Sequence, residues 1–432
     1  MNSDNLKDHK QIGQQQELFF TNDIAPGAPF WLPNGMIIFK ELEKYIRELT
    51  EKNGYQETST PIMVKSELFK QSGHWEKFGE HNMYNLPIYE DEEIAEGKVP
   101  MVEIDVKGKK QKVPQVNYTL KPMNCPESTV IYRFRPRSYR ELPLRLSELG
   151  RLHRREKSGE VNGLLRVRQI TMDDAHLYVT EDQIMDEISS ILRMMIEFYD
   201  KFGFEYEFRL ATRPEIFAGS KKNWDKAEKD LEEALKRNNL KYSIKEQDGA
   251  FYGPKIDVHI KDSLGREWQL ATVQLDFHQP EAFDLKYIDN DGSEKRPVMI
   301  HRAIFGSFER FIGILTEHYQ GVFPIFLSPV QVVIIPISNK QNSYAEKVLS
   351  AFEKEGIRVK LDARNETMQG KIRDAALQKA PLICIIGGQE EDKGREKNEL
   401  IVTARHRDGR QEKGINLSSL IKKLKEDIEK KN

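Results

Sequence analysis

Apolar residues recur along this chain with helical spacing in some stretches and in strict alternation in others. Three stretches have the three-to-four-residue spacing of amphipathic helices: residues 34–53, the run from the capping box Thr180/Gln183 to just before Gly203, and about Asn223 to Asn238. Two alternating runs, residues 250–260 and 266–277, are joined by a Ser-Leu-Gly turn and predict a long antiparallel hairpin. Helices beside a mostly antiparallel sheet indicate an α+β fold for this part of the chain.

The pattern changes after Pro329, where short apolar strands alternate with helices. The strands are VQVVIIPI at 330–337, IRVKL at 357–361 and LICIIGG at 382–388, with helices predicted before Gly356 and from about Glu366 to Lys379. This alternation predicts a separate, smaller α/β domain with a largely parallel sheet. We therefore predict two domains, residues 1–327 and 328–432, and a surface insertion with its own small hairpin at residues 87–114.

Charge, cysteine content and hydropathy exclude several classes of protein. The 67 basic and 69 acidic residues leave a net charge of -2, so any contact with nucleic acid must use local patches. Two cysteines, Cys125 and Cys384, cannot form a disulfide framework and suit a reducing compartment. No apolar run is long enough to span a bilayer, and the N-terminus lacks the apolar core of a signal peptide. We expect a cytoplasmic protein without a membrane partner.

Arginines are concentrated between Glu141 and His176, in two strand-like runs around a Gly-containing loop. Apolar residues alternate with arginine at 144–146 in the first run and at 165–168 in the second. On adjacent strands, Arg154 and Arg166 could face one pocket, where two guanidinium groups would bind the oxygens of a polyphosphate. An arginine-rich sheet edge exposed to solvent would give the same pattern, so the charge pattern alone leaves both interpretations open.

Three segments together carry a resemblance to a known family: KPMNCP at 121–126, the arginine-rich stretch, and MIHRAIFGSFERFIGIL at 299–315. In order and in flanking residues they closely resemble threonyl-tRNA synthetases, which are class II aminoacyl-tRNA synthetases. Pro61 fits the end of motif 1, while Leu149–Glu156 and Gly306–Arg310 fit motifs 2 and 3. The resemblance implies an enzyme that activates threonine with ATP and transfers it to tRNA(Thr), an anticodon-binding C-terminal domain, and a homodimer joined through motif 1.

The resemblance also assigns an ATP site. Arg154 would bind the α-phosphate and the substrate carboxylate, and Arg166 would bind the γ-phosphate. Glu156 would contact the edge of the adenine, Arg310 would stack on its ring, and Gln269 would also face ATP. A guanidinium group over a purine gains from both cation–π and planar contact. Mg2+ would accompany the ATP.

The family holds one zinc ion (Zn2+) per subunit in the amino-acid pocket, and the matching ligands here are Cys125, His176 and His301. No local spacing reveals this set, because its members come from three distant segments. An apolar pocket discriminates between isosteres that differ by one hydroxyl group only about a hundredfold. A metal that binds the amino and hydroxyl groups of threonine would exclude valine more strongly. The same pocket would contain Asp174, Tyr252, Gln274 and Met172.

The remaining expected contacts are with tRNA. His74, in SGHW, matches a family histidine near the terminal ribose, and it joins Arg154 and Arg310 as an expected catalytic residue. The alternative for His74 is a surface histidine. Anticodon contacts are expected from Asn365, Arg373, Glu390 and Arg405, with Thr403 where the family carries an arginine. Amide and charged side chains suit the exposed edges of single-stranded bases.

Several pocket positions depart from the family pattern. Ile170 replaces an aromatic residue under the adenine, and Met172 replaces a glutamine near the amino acid. The other departures are Ala271 for glycine, Glu127-Ser128 for Gly-His, and Gln279 for an apolar residue. They leave two alternatives open. One is an inhibitor-resistant second synthetase, and the other is a catalytically idle paralogue that binds tRNA or another RNA.

Family members commonly carry an N-terminal editing domain that hydrolyses seryl-tRNA, whereas this sequence begins close to the catalytic core. Two alternatives stay open: a natural short form without editing in cis, which would depend on a separate trans-editing protein, or a piece excised from a longer protein. The opening residues MNSDNLKDHK favour the first. Serine differs from threonine by one methyl group, worth only about 1–3 kcal/mol of discrimination. Accumulation of seryl-tRNA is therefore expected.

Overall fold

The computed structural model describes residues 6–76, 82–87, 101–106, 109–114, 116–262 and 265–431. The chain forms two compact units. The large unit comprises Asp23–Pro29 and Ile46–Phe311, and the small unit comprises Met1–Asn22, Phe30–Tyr45 and Ile312–Asn432. The sequence-based division into residues 1–327 and 328–432 stays a prediction.

The helices follow the apolar spacing of the sequence. They are α1 His9–Gln15, α2 Pro33–Lys52, α3 Glu67–Gln71, α4 Cys125–Tyr132, α5 Ile184–Phe202, α6 Lys221–Arg237, α7 His278–Ala282, α8 Phe308–His318, α9 Asn342–Lys354, α10 Met368–Leu377, α11 Gly388–Lys397 and α12 Leu417–Glu429. The three helices predicted before residue 240 are α2, α5 and α6. α5 ends where Gly203 has a φ of 69°, a left-handed conformation that glycine adopts without strain. None of the helices among the described residues is both long and apolar enough to cross a membrane.

The strands supply the frame of the site. They are β1 Phe19–Phe20, β2 Phe30–Trp31, β3 Gln56–Glu57, β4 Met63–Lys65, β5 Tyr84–Pro87, β6 Met101–Val106, β7 Lys109–Pro114, β8 Val116–Leu120, β9 Leu144–His153, β10 Gln169–Val179, β11 Tyr206–Ala211, β12 Tyr242–Lys245, β13 Lys255–Lys261, β14 Glu267–Asp276, β15 Tyr287–Ile288, β16 Glu294–Lys295, β17 Val298–Ser307, β18 Val332–Pro336, β19 Val359–Leu361, β20 Leu382–Ile386, β21 Ile401–His406 and β22 Gln411–Asn416.

The large unit is built on an eight-stranded sheet in the order β12-β11-β13-β14-β17-β10-β9-β3. All neighbours are antiparallel except β11 with β12 and β3 with β9, so the predicted α+β fold with a mostly antiparallel sheet is confirmed. The predicted hairpin is the pair β13 and β14, whose Ser263-Leu264 turn lies outside the described residues. One face of β14 and β17 packs on α5, and Tyr199 of α5 donates a hydrogen bond to Ile304 O at 2.9 Å.

The second arginine-rich run is not a strand where the alternation placed it. Leu165 and Val167 lie in the connection before β10, although both are buried. The backbone groups of this connection form hydrogen bonds outside the eight-stranded sheet. Asn162 N donates to Arg166 O at 3.0 Å, and Arg168 N donates to Gly27 O at 2.6 Å. An irregular loop that buries alternate residues therefore produced the same pattern as a strand.

The small unit contains a five-stranded sheet in the order β19-β18-β20-β21-β22. The first three strands are parallel and follow the predicted α/β alternation. The predicted largely parallel sheet is nevertheless wrong for its other edge, because β21 pairs antiparallel with both β20 and β22. β21 and β22 are separated by only four residues, a connection too short for a parallel crossover. Cys384 is fully buried in β20, as expected of a small apolar residue.

The predicted insertion contains the expected hairpin. β6 pairs antiparallel with β7, from Met101 opposite Pro114 to Val106 opposite Lys109. The acidic run at 88–100 and the tip at Lys107-Gly108 lie outside the described residues.

Candidate active site on the antiparallel sheet

Adjacent strands of the large sheet place the expected pocket residues on one face. His176 of β10 lies directly opposite His301 of β17, and His301 lies opposite Gln274 of β14. Directly paired residues share a face of a sheet, and so do residues two apart on one strand, which adds Asp174. Residues far apart in sequence meet here because the strand order is β14-β17-β10.

Cys125, the first residue of α4, completes a cluster of buried ligand-type side chains with His176 and His301. The candidate ligand atoms of the three residues lie within 4.8 Å of one another. In the described part of the chain, His176 Nε2 and His301 Nδ1 are buried without a hydrogen-bond partner. Unpaired ring nitrogens are costly to bury unless a cation binds them, and one sulfur with two nitrogen donors suits zinc.

Burial also sets the protonation of this cluster. Desolvation lowers the pKa of His176 well below its ordinary value. Desolvation raises the pKa of the Cys125 thiol well above its ordinary value, with the charge of Asp174 adding to the effect. The His176 ring is therefore neutral, the form that binds a metal. A bound cation would displace the proton of the thiol, so that the sulfur binds as a thiolate.

Asp276 is a contact of this cluster that sequence reasoning missed. Its carboxylate is fully buried, and its Oδ2 lies 2.8 Å from His301 Nε2. Its Oδ1 accepts hydrogen bonds from the backbone amides of His278 and Gln279 at 2.7 and 3.0 Å. The sequence does show an aspartate at the end of an apolar strand, and a buried carboxylate there needs hydrogen-bond donors.

A short chain of contacts holds the acidic side of the pocket. Asn124 Nδ2 donates to Asp174 Oδ2 at 2.8 Å. Burial raises the pKa of Asp174, and the hydrogen bond from Asn124 opposes that rise. Gly150 lies on β9 against the same amide, and a Cβ atom at this position would be 2.2 Å from Asn124 Oδ1. Glycine at 150 therefore leaves the space that the Asn124 side chain occupies.

Aromatic side chains line the opposite side of the pocket. The Tyr252 hydroxyl donates to Gln274 Oε1, and the Tyr252 ring centroid lies 4.9 Å from that of His301. His74 is fully buried, so the surface alternative is wrong, and its ring lies 6.3 Å from that of Tyr252. Its Nδ1 lies 2.8 Å from Ser72 Oγ. Burial lowers the pKa of His74 to about 3, so the ring is neutral.

The expected arginines come together beyond the end of β9. Arg154 and Arg310 each donate from Nε to a backbone carbonyl oxygen, at 3.1 and 2.9 Å. Burial lowers the pKa of Arg310, and the positive charges of Arg154 and Arg166 lower it further. The three guanidinium groups therefore repel one another. Glu156 forms an ion pair with Arg166 at 2.8 Å. A polyphosphate would relieve the repulsion between these cations.

An extra residue in β14 brings Gln269 to the pocket face. Thr272 pairs with Asp257, whereas Gln269 pairs with His259, so three steps along β14 match two steps along β13. Strict alternation would have placed Gln269 on the face opposite to Thr272. The bulge reverses this, so Gln269, Thr272 and Gln274 share one face.

A second irregularity shapes the end of β17. The Asp173 carboxylate accepts hydrogen bonds from the amides of Ile304 and Gly306 at 2.7 and 2.9 Å, where β17 departs from its pairing with β10. Gly306 has a φ of 79°, which favours glycine. Burial raises the pKa of Asp173 to about 7. This irregular end of β17 leads directly into α8 and so positions Arg310.

Two departures from the family pattern form an apolar wall. Ile170 packs with Leu152 and Val167, and Met172 lies against this group. Ile170 is 8% exposed, and Met172 is half-buried. Aliphatic side chains therefore stand where the resemblance led us to expect an aromatic ring and an amide.

The other departures are buried. Ser128 Oγ lies 2.8 Å from Tyr178 Oη, and Ala271 is fully enclosed. Desolvation raises the pKa of Glu127 to about 8. Gln279 is fully buried, and its Nε2 donates to Asp276 Oδ2 at 3.0 Å.

The expected anticodon residues lie in the small unit and differ in their surroundings. Asn365 and Arg373 are exposed, and Arg405 is partly buried. Glu390 is engaged within the unit: its Oε2 accepts from Gly387 N at 2.9 Å and its Oε1 accepts from Thr403 Oγ1 at 2.8 Å. Glu390 therefore caps α11, and Thr403 is one of its donors.

Known proteins match both units. A model of the tRNA synthetase class II core domain (G, H, P, S and T) matches residues 109–319, and one of an anticodon binding domain matches residues 331–427. A crystal structure of the RNA binding domain of threonyl-tRNA synthetase from Cryptosporidium parvum Iowa II has a TM-score of 0.85 and 36% identity, covering 97% of this chain and 98% of that one. The chain belongs to the threonyl-tRNA synthetase family.

Other relatives agree with this membership. A threonyl-tRNA synthetase structure from Aeropyrum pernix, described as putative, has a TM-score of 0.77 and 25% identity, covering 98% of this chain and 97% of that one. The threonine–tRNA ligase of Acetivibrio thermocellus is 47% identical over 89% of this chain, and that of Caldanaerobacter subterraneus is 46% identical over 98%. The chain spans 56% and 61% of the lengths of these two relatives.

Proposed function

We propose that this chain is a threonine–tRNA ligase that activates threonine with ATP and transfers it to tRNA(Thr). One observation carries the proposal: the Cys125, His176 and His301 cluster shares a sheet face with Asp174, and the guanidinium groups of Arg154 and Arg310 lie near the end of the same face. A metal-type ligand set beside a cationic site suits a small polar substrate and a polyphosphate.

Selection of threonine would rest on the ligand cluster and its neighbours. Cys125, His176 and His301 would hold a zinc ion, which when bound offers open coordination positions to the amino and hydroxyl groups of threonine. Asp174 would accept the proton of the substrate hydroxyl group. Gln274, whose side chain is held by the hydroxyl group of Tyr252, would bind threonine on the side of the pocket opposite to Asp174. Valine lacks the hydroxyl group and would leave these polar groups unpaired.

The first reaction would be in-line attack of the threonine carboxylate on the α-phosphate of ATP, with pyrophosphate leaving. Arg154 would hold the carboxylate and the α-phosphate together, and Arg310 would stack on the adenine. Arg166 would bind the γ-phosphate, which requires its guanidinium group to share or leave the ion pair with Glu156. Mg2+ would accompany the nucleotide. Positioning and charge neutralisation supply most of the catalysis in such transfers, so no protein nucleophile is needed.

Transfer to tRNA would involve His74, whose neutral ring can accept a hydrogen bond from a ribose hydroxyl group and so position it. Asn365, Arg373 and Arg405 would contact the anticodon. The capping contacts of Glu390 make it the weakest of the four expected contacts. A homodimer would form through the motif 1 segment at Pro61, beside which Ile62 and Met63 are 41% and 48% exposed.

Threonine-dependent exchange of pyrophosphate into ATP tests the proposal directly. The zinc-loaded protein should exchange with threonine but not with valine, and removal of zinc by a chelator should abolish the exchange until zinc is restored. Arg154→Ala should lose the exchange, whereas Arg193→Ala, on the exposed side of α5, should keep it. Absence of exchange in the zinc-loaded protein would overturn the proposal and favour the catalytically idle RNA-binding alternative.

An inhibitor-resistant second synthetase is a second candidate, supported by one observation. Ile170 and Met172 make part of the pocket wall aliphatic, which changes the contacts available to a molecule that mimics substrate. Restoring the expected types with Ile170→Phe and Met172→Gln should increase inhibition by adenylate analogues if this candidate is right. Unchanged inhibition would exclude it.

A further inference from the structure

Four donors converge on the buried carboxylate of Asp276. Its Oδ1 accepts from the amides of His278 and Gln279, at 2.7 and 3.0 Å, and is thereby fixed to the start of α7. Its Oδ2 faces His301 Nε2 at 2.8 Å and also accepts from Gln279 Nε2 at 3.0 Å. The side chain is fully buried, so its orientation is set by these contacts.

A carboxylate can only accept hydrogen bonds, so the nitrogen that faces it must carry the proton. For His301 this nitrogen is Nε2, which leaves Nδ1 with a free lone pair. Nδ1 is the atom that is buried without a hydrogen-bond partner among the described residues. The hydrogen bond thus selects one of two tautomers before any ligand arrives.

We propose that Asp276 is a positioning residue that fixes His301 in the tautomer whose Nδ1 binds the metal. The inference rests on the proposed zinc site and adds a residue to it. Partners of this kind orient a metal ligand and raise its basicity, and their loss typically costs about 10- to 100-fold in metal affinity. Gln279 shares Oδ2 with His301, but the backbone amides already hold the carboxylate in place.

Asp276→Asn is a sharp test because the change is nearly isosteric. The amide oxygen can still accept from the two backbone amides at Oδ1. The new NH2 group would then face His301 Nε2 as a donor, which forces the proton of the ring onto Nδ1 and removes the metal-binding lone pair. Gln279→Leu is the matched control, because it removes a donor to the same oxygen while leaving the carboxylate.

The experiment measures zinc affinity by competition with a chromophoric chelator, and the tautomer by long-range 1H–15N spectra of the zinc-free protein with labelled histidine. His301→Gln identifies the His301 signal. We expect wild type and Gln279→Leu to carry the His301 proton on Nε2 and to agree within a few-fold in zinc affinity. Asp276→Asn should lose about 10- to 100-fold in affinity and carry the proton on Nδ1.

Each result decides a separate question. If wild type binds zinc and Asp276→Asn binds it equally well, the inference is wrong and the zinc site stands. If wild type carries the His301 proton on Nδ1, the inference is wrong even if the asparagine variant does not fold. If wild type binds no zinc, the proposed zinc-dependent function fails instead.

Discussion

Gly150→Ala should impair threonine activation without any contact with the substrate. The added methyl group would lie 2.2 Å from Asn124 Oδ1 and 2.4 Å from Asn124 Nδ2, closer than nonbonded atoms approach. Asn124 is fully buried, so its amide cannot swing into solvent. It must turn away from its present position and break the 2.8 Å hydrogen bond to Asp174.

The size of the effect follows from the bond that is lost. A hydrogen bond to a charged group contributes about 1.5–3 kcal/mol, which corresponds to about 10- to 150-fold in kcat/KM for threonine. Burial already raises the pKa of Asp174, and the bond from Asn124 opposes that rise. In Gly150→Ala the pKa of Asp174 should rise further. Activity should therefore recover partly as the pH is raised, because the carboxylate form returns.

A double-mutant cycle isolates this mechanism. Asn124→Ala alone should cost about as much as Gly150→Ala alone, since each removes the same hydrogen bond. In Gly150→Ala/Asn124→Ala the space of the missing amide accepts the new methyl group, so the second change should add little. The assay is threonine-dependent pyrophosphate exchange, with thermal melting to show that all variants fold. If the two losses simply multiply, Gly150 does not act through Asn124 and the reasoning is refuted.

Three further changes test other parts of the site. Arg310→Lys should lower kcat/KM for ATP about tenfold or more with little change in KM for threonine, because an ammonium group cannot stack on adenine as a guanidinium group does. A rise in KM for threonine as large as the loss in kcat/KM for ATP would contradict this. Serine should support exchange about 10- to 200-fold less efficiently than threonine, and no exchange with serine would show selection beyond zinc coordination. Burial raises the pKa of Glu309 from 4.5 to about 7, so the folded protein keeps a proton that the unfolded chain loses in this range. Its free energy of unfolding should fall as pH rises from about 4.5 to 7, by up to roughly 3 kcal/mol, and urea denaturation of Glu309→Gln should lack this part of the pH dependence.

Periodicity predicted the elements of this chain well where one face is buried throughout. α2, α5 and α6 were found because their apolar residues keep helical spacing, and β13 and β14 because theirs alternate. The run at Leu165 and Val167 was misread, because an irregular loop buried alternate residues and used its backbone groups for other contacts. The antiparallel edge of the small sheet was missed because β21 and β22 lie beyond the alternating region on which the prediction was based.

The site could be predicted only in part for a related reason. Residue types such as Cys125, His176 and His301 are visible in the sequence, and the family resemblance supplied their grouping. Asp276 could not be found this way, because its role depends on the neighbour that β17 places beside β14. The contact of Gly150 with Asn124 likewise depends on the packing of α4 and its preceding segment over β9.

The two bulges explain why the proposed ATP end of the pocket departs from strand alternation, whereas the proposed threonine end follows it. Between His176, His301 and Gln274 the strands keep register, so alternation assigns the pocket face correctly. Beyond them, β14 has an extra residue relative to β13 between Thr272 and Gln269, and β17 departs from its pairing with β10 where its amides donate to Asp173. Regular strands can hold a compact cluster, but the proposed nucleotide site would extend beyond the reach of alternate side chains on regular strands. The irregular backbone turns Gln269 and the α8 residue Arg310 toward that extension, so strand irregularity joins the candidate metal cluster to the group of arginines.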